Sequence, residues 1–452
     1  MGDYTVVANP WNGDHVAITI GDPKRVLSSI KQKLNALSPS AVGKSCCIYR
    51  VHEKFRKINE YAYTPEIVSI GPFHHGKLGL LAMEDHKLRY MNVLLERTSK
   101  HEAKLKECVD SVSILEEEAR KCYSEPIAFD SEKFVEMMVV DGLFIIELFG
   151  KSAGVLKTER DDTIFNNIWC MPSLVRDMIL LENQLPMFVV ERLFEIVKND
   201  QPKRLIDERS LGEWSLNELA LRFFDPLMKR EDDVIKKQCK KKGKHFLDLL
   251  SKTFRDIPKG GTEKHSLKLI PSVTELRQAG VKFKIGNKKG SFLDIKFVDG
   301  IMTIPPILVQ DQTGTLFRNF IASEQCCDRK TTYMTSYAFF MDSLIDSAND
   351  VAFLRRRQII TNCLGHDEDV SSLFNKLCSE VTLVNLYYSK LCEDVNKYYS
   401  ERRHFWQATL RRDYFHNPWA IISFSGAILL LLLTLIATIF AVLAYFDPKS
   451  KS

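Results

Sequence analysis

ILLENQLPMFVVE, residues 179–191, sets three polar side chains, Glu182, Asn183 and Gln184, between two apolar runs, with Pro186 close behind. If residues 174–197 were one helix, Pro186 would lack the N–H that bonds the carbonyl of Glu182, and its ring would meet that carbonyl. Leu185 is pushed out of the α region as well. The helix must therefore break, and a break inside a core leaves backbone groups without partners. The polar triplet offers the side-chain donors and acceptors to satisfy them. On this reading two buried helices meet at a polar corner. A catalytic Glu182 is the competing reading, and it needs a base, nucleophile or metal partner that no nearby motif supplies.

Outward from that corner the pattern stays helical. From Glu84 to Cys122, apolar residues such as Leu88, Met91, Leu95, Leu105, Val112 and Ala119 recur at three- and four-residue steps, with charges between them, which predicts bundle helices. DSEKFVEMMVVDGLFIIELFG (130–150) opens on Asp130 or Ser131 as N-cap and closes on Gly150 as a stop. It is apolar on more than one face, which predicts a mostly buried helix with Asp141 and Glu147 at the edges of the burial.

The period changes once. VKFKI (281–285) alternates, and SFLDIKFVDGIMTIPPILVQD (291–311) holds two alternating runs around Asp299–Gly300, a hairpin signal. Helical spacing returns from Leu316 to Tyr399. The fold class is accordingly mainly α: a multi-helix globular domain with a small antiparallel β element, plus one C-terminal transmembrane helix. The expected divisions are a flexible arm over 1–42, helical parts over 43–228 and 313–410, a charged loop over 229–265, the β element over 266–312, the transmembrane helix over 419–446 and a tail over 447–452.

The transmembrane expectation rests on AIISFSGAILLLLLTLIATIFAVLAYF (420–446), which has no charged residue. As a helix it would be roughly 40 Å long, enough to cross the ~30 Å hydrocarbon core with tilt. Trp419 at one end and Tyr445 and Phe446 at the other suit the membrane interfaces. Arg402, Arg403, Arg411 and Arg412 precede the segment and only Lys449 and Lys451 follow it, so the positive-inside rule keeps the large N-terminal part in the cytosol. The plasma membrane is the expected location, with the endoplasmic reticulum as the alternative.

Composition adds bounds. Among 452 residues, 45% are hydrophobic and 27% charged, which supports a sizeable core. The net charge of +5 does not by itself argue for nucleic acid. The lysine run between Lys236 and Lys244 lacks interleaved aromatics and reads as a solvated surface. The 11 cysteines include the adjacent pairs Cys46–Cys47 and Cys326–Cys327 and no C-x-x-C, which reads as free thiols in a reducing compartment. The N-terminus has no secretory signal pattern, and Val6 stands where a myristoylation site wants Ser or Thr.

No phosphate loop, G-x-S-x-G elbow, H-E-x-x-H or kinase set appears. The strongest candidate for chemistry is SIGPFHHGK (69–77), where Gly71 and Pro72 mark a structured turn bearing His74 and His75, with His86 eleven residues further on. Neighbouring side chains tend to diverge, so imidazoles that pin backbone groups are preferred here to a metal or acid–base site.

VSIGPFHHGK (68–77), MEDHKLRYM (83–91), VVDGLFIIELF (139–149), DMILLENQLPMFVVERLF (177–194), PSVTELRQAGVKFK (271–284) and the apolar tail together resemble the plant proteins carrying the domain of unknown function 247. The resemblance runs from about residue 45 to the C-terminus. It implies a membrane-associated plant protein with a C-terminal span, without an established enzymatic activity and without defined catalytic residues. Links of some grass relatives to self-incompatibility loci imply recognition rather than catalysis. The expected function is thus that of a membrane-anchored interaction, recognition or signalling component, with a membrane-tethered enzyme near the His74–His75 turn as the alternative. No cofactor is expected. The expected partners are the membrane and unidentified proteins, nucleic acid is disfavoured, and the oligomeric state is open.

Overall fold

The computed structural model describes residues 4–8, 15–19, 22–36, 45–98, 100–198, 211–255, 268–288, 290–327, 332–401 and 418–446. Strands β1 (Tyr4–Ala8) and β2 (His15–Thr19) pair antiparallel, and the exposed helix α1 (Pro23–Ala36) follows, its Lys24 N–H capped by Asp22. The body begins where the Cys47 and Ile48 N–H groups both donate to the Cys122 carbonyl. The short helix α2 (Glu53–Arg56) leads into an irregular stretch up to Lys77.

The expected bundle helices form a hairpin, α3 (Leu81–Glu96) and α4 (His101–Lys121). Both pack on α5 (Ser131–Ser152), the buried axis of this half. Asp130 starts α5 by accepting from the Lys133 N–H at 2.8 Å, as an N-cap should. The helix does not stop at Gly150 but runs on to Ser152. Gly150 serves close packing instead, because a Cβ there would lie 2.5 Å from the Leu156 side chain. Asp141 and Glu147 are fully buried rather than at an edge.

The one-turn helix α6 (Thr163–Asn166) and α7 (Cys170–Asp177) follow; then the chain leaves helical geometry until α8 (Met187–Val197), with Pro186 at the N-cap of α8. The break is thus a nine-residue corner, not a kink. Helix α9 (Leu216–Phe223) packs on α5, where Phe223 and Phe149 rings lie 4.7 Å apart. The stretch expected as a charged loop instead carries α10 (Asp232–Gln238) and α11 (Phe246–Thr253). Phe246, Leu247, Leu249 and Leu250 of α11 lie in the core. The lysine run closes that turn: Lys241 Nζ donates to the Lys252 carbonyl at 2.7 Å, and Lys252 Nζ to the Lys242 carbonyl at 2.9 Å.

In the second half, α12 (Val273–Gln278) opens on a Ser272/Glu275 capping box. Strands β4 (Lys296–Val298) and β5 (Ile301–Ile304) form the expected antiparallel hairpin, its turn residues Asp299 and Gly300 both at positive φ, the type I′ geometry that asks for this pair. The sheet is mixed rather than wholly antiparallel, because β3 (Lys282–Ile285) pairs with β5 in parallel. A second parallel pair joins β6 (Ile307–Val309) to β7 (Ile360–Asn362). Helices α13 (Asp311–Cys327), α14 (Tyr333–Leu344), α15 (Ala348–Arg356), α16 (Asp367–Leu377) and α17 (Ser389–Ser400) complete this half. One continuous apolar cluster runs through both halves, from Cys47 to Val395. Among the described residues Cys46, Cys108, Cys122, Cys170, Cys239, Cys363, Cys378 and Cys392 form no disulfide.

The C-terminal helix, Pro418–Phe446, carries Trp419, Tyr445 and Phe446 at its ends. Ile422–Leu443 within it is long and apolar enough to cross a membrane, and none of it is buried against the body. The flanking basic residues that set the expected orientation (Arg402, Arg403, Arg411, Arg412, Lys449, Lys451) lie outside the described residues.

Candidate functional site

Two irregular segments, residues 61–77 and 178–186, meet beneath α5 and α13, and buried polar side chains join them. Asn183 is the hinge pin. Its Oδ1 accepts from the Ile70 N–H at 2.7 Å, while its Nδ2 donates to the carbonyls of Val68 and Asp177, each at 3.0 Å. Gln184 donates through Nε2 to the carbonyls of Met178 and Leu180 at 2.7 and 2.9 Å and accepts the Leu247 N–H through Oε1. Asp177, at the end of α7, accepts the N–H groups of Glu66, Ile67 and Val68 and the Arg176 guanidinium. Asn319 of α13 takes the Leu181 N–H and donates to the carbonyls of Ala62 and Thr315. Asp141 of α5 holds the Gly71 N–H at 2.8 Å and Lys87 Nζ at 2.6 Å. Amide side chains suit this task because each carries a donor and an acceptor that match both edges of a peptide without a net charge.

Gly71 is required where the segments touch. Its φ is +74°, and a Cβ there would lie 2.6 Å from the Gln184 carbonyl oxygen. That same oxygen accepts from Tyr123 Oη at 3.1 Å.

Glu182 gathers the charge of the site. Its Oε1 accepts the Val51 N–H at 2.6 Å and lies 2.5 Å from Arg56 Nη2. Its Oε2 lies 3.2 Å from His74 Nε2 and 3.5 Å from Arg50 Nη1. Burial pushes the Glu182 carboxyl up, but His74, the Val51 N–H and Arg56 outweigh it and hold the group below the ordinary glutamate range. Burial holds His74 below the ordinary imidazole range against the pull of Glu182. The pair is a neutral imidazole beside a carboxylate, with side chains only 1% and 0% exposed, and Arg50 and Arg56 standing toward solvent.

A second buried cluster lies across α5. Lys151 Nζ is 2.8 Å from Asp162, 2.5 Å from Glu159 and 3.3 Å from Glu147, and Arg97 bonds both Glu147 and Glu159. Tyr90 Oη donates to Asp162 at 2.7 Å. Asp162 caps α6 through the N–H groups of Ile164 and Phe165.

The structure thus brings Gly71, Pro72, His74, Glu182, Asn183, Gln184 and Pro186 into one buried assembly. It does not bring the histidines together. His75 packs edge-on against Phe129, and His86 meets Thr163 Oγ1 at 3.3 Å. Contrary to the expectation that these imidazoles pin backbone groups, neither ring nitrogen of His74 bonds the backbone, because the ring is turned to the Glu182 carboxylate. Among the described residues no group of three His, Cys, Asp or Glu is placed to hold a metal ion. Chemically, the His74–Glu182 contact is an imidazole–carboxylate pair enclosed by protein. The sequence reading missed Lys87, Arg97, Lys151, Asp162, Asp177 and Asn319. Asp141, Glu147 and Lys151 did carry a signal, since charged residues inside an apolar helix are rarely buried without partners.

Comparison with known proteins follows the same residues. A family model described as a plant protein of unknown function, DUF247, matches residues 48–433. UPF0481 protein At3g47200 of Arabidopsis thaliana is 30% identical over 454 residues, covering 94% of this chain and 92% of its own length. Putative UPF0481 protein At3g02645 of the same plant is 25% identical over 470 residues, covering 82% and 85%. No solved structure matches. With most of its length matched by the family model, the chain belongs to DUF247, a plant family of unknown function.

Proposed function

We propose that this chain is a single-pass membrane protein whose helical body, held at the bilayer on its cytosolic side, works by binding other proteins in recognition or signalling. The observation that carries the reading is the helix Pro418–Phe446, whose span Ile422–Leu443 has no charged residue and no contact that buries it in the body. A soluble helix of that composition would be covered on all sides. The buried assembly around Asn183 and Glu182 supports a structural role for the polar corner, since both ends of the Asn183 amide are occupied by backbone groups and Glu182 Oε1 by the Val51 N–H and Arg56. Alkaline extraction of membranes tests the anchor. The full chain is expected to stay with the lipid, and replacing Leu431 and Leu435 by Arg is expected to release it. Retention of that variant would count against a spanning helix.

The alternative, a membrane-tethered enzyme, draws on the 3.2 Å contact between His74 and Glu182. It predicts that His74→Asn abolishes biological function at unchanged thermal stability. The structural role predicts a lowered melting temperature for the same variant.

A further inference from the structure

Apart from the C-terminal apolar helix, α1 is a described helix whose apolar face has nothing packed on it. Val26, Leu27, Ile30 and Leu34 are 53%, 53%, 49% and 58% exposed. At 100° per residue they fall within an arc of about 100°, one stripe of the helix. Lys33 flanks the stripe on one side and Lys31 on the other, with Lys24 and Arg25 further round. No acidic residue occurs between Pro23 and Ala36. An isolated helix of 14 residues is marginal in water, so a stripe of this kind implies a surface that covers it.

We propose that α1 lies along an anionic bilayer surface, with the Val26, Leu27, Ile30 and Leu34 face among the acyl chains and its four basic residues at the headgroups. Flanking lysines suit this placement because their aliphatic stems reach along apolar surface while the ammonium stays with water and phosphate. The sign of the charge selects acidic lipid. The inference rests on the proposed membrane anchor, which keeps the body at a bilayer so that a short, weakly binding helix is present there at high local concentration. Arg402, Arg403, Arg411 and Arg412 precede the C-terminal helix and would face the same leaflet as α1. A protein surface that competes for α1 is the apolar groove of Leu88, Met91, Leu105 and Val109, rimmed by Glu132 and Glu136.

Hydrogen exchange of residues 23–36 in the full chain tests this, in detergent, on phosphatidylcholine vesicles and on vesicles containing phosphatidylserine. Exchange is expected to slow about tenfold or more on the anionic vesicles alone, and to return to the detergent rate at high salt. The same loss of protection is expected for Lys24, Arg25, Lys31 and Lys33 replaced by Gln, and for Val26, Ile30 and Leu34 replaced by Ser. These changes lie outside the body and leave its fold alone. Equal exchange in all three media overturns the proposal. So does equal protection in all three that Glu132→Lys with Glu136→Lys removes, which would place α1 in the groove. Alkaline extraction of the same samples reads the anchor separately. Release of the chain with residues 23–36 still protected on anionic vesicles would sink the anchor and leave the helix assignment standing.

Discussion

Asn183 offers the sharpest test of the polar corner, through two substitutions of nearly equal size. Asn183→Leu removes bonds to the Ile70 N–H and to the carbonyls of Val68 and Asp177. The Asp177 carbonyl keeps the Leu180 N–H, so the Ile70 N–H and the Val68 carbonyl are the groups left unpaired. At about 1–3 kcal/mol each the loss is about 2–6 kcal/mol, partly relieved by relaxation. Asn183→Asp keeps an acceptor for Ile70 but turns a second acceptor toward two carbonyls. The side chain can satisfy one of them only by holding a proton. Native protein then keeps that proton where unfolded chain, with a pKa of ~3.9, has lost it, so stability falls as pH rises above that value. If the native carboxyl is still protonated at pH 7, the cost there is about 4 kcal/mol, shrinking to about 1.5 kcal/mol at pH 5. The assay is thermal unfolding of the full chain in detergent, followed by tryptophan fluorescence, with wild type beside each variant at each pH. The aspartate variant should close on wild type between pH 7 and 5, while the leucine variant should keep a constant gap. A pH-independent gap for Asn183→Asp, or none at pH 7, would refute the bonding pattern.

Further outcomes follow from the same geometry. Gly71→Ala should cost about 2–4 kcal/mol, from positive φ plus contact with the Gln184 carbonyl, whereas Gly76→Ala, at φ +79° with open space around it, should cost about 1 kcal/mol by the same unfolding assay. His245 caps α11 through Nδ1 and lies 3.1 Å from the Cys47 carbonyl through Nε2, and burial pushes it down to about 4. Its neutral form is the native one, so its contribution is complete above the unfolded value of ~6.5 and fades by about 3 kcal/mol as pH falls toward 4. His245→Gln should flatten that part of a urea-midpoint series between pH 7.5 and 4.5. Lys151→Met leaves Glu147, Glu159 and Asp162 without their shared cation and should lower stability by about 3–5 kcal/mol, with partial recovery in acid as the carboxylates protonate.

What could be read from the sequence was local. Pro186 breaks a helix wherever it stands, and Asp299–Gly300 makes a turn from its own φ values. Asp130 announced the start of α5 because capping needs only a neighbouring N–H. The features that escaped depend on residues far apart. Gly150 resembles a stop signal until Leu156 folds back onto it. Strand β7 is three residues long and exists because β6 lies alongside, some fifty positions earlier in the chain. The apolar residues of α11 were hidden behind the lysines that precede them. At the corner, the triplet's local duty is visible in Gln184, which bonds Met178 and Leu180. That Asn183 reaches Val68 and Ile70, that Glu182 reaches Val51, and that Asn319 arrives from α13 required the packing itself.

Protease protection on sealed microsomes, with one tag at each terminus, tests the central claim most directly. A single span with a cytosolic body predicts that the N-terminal tag is digested from outside while the C-terminal tag survives until the membrane is opened. Protection of the N-terminal tag would place the body on the other side, and digestion of both tags would contradict a spanning helix altogether.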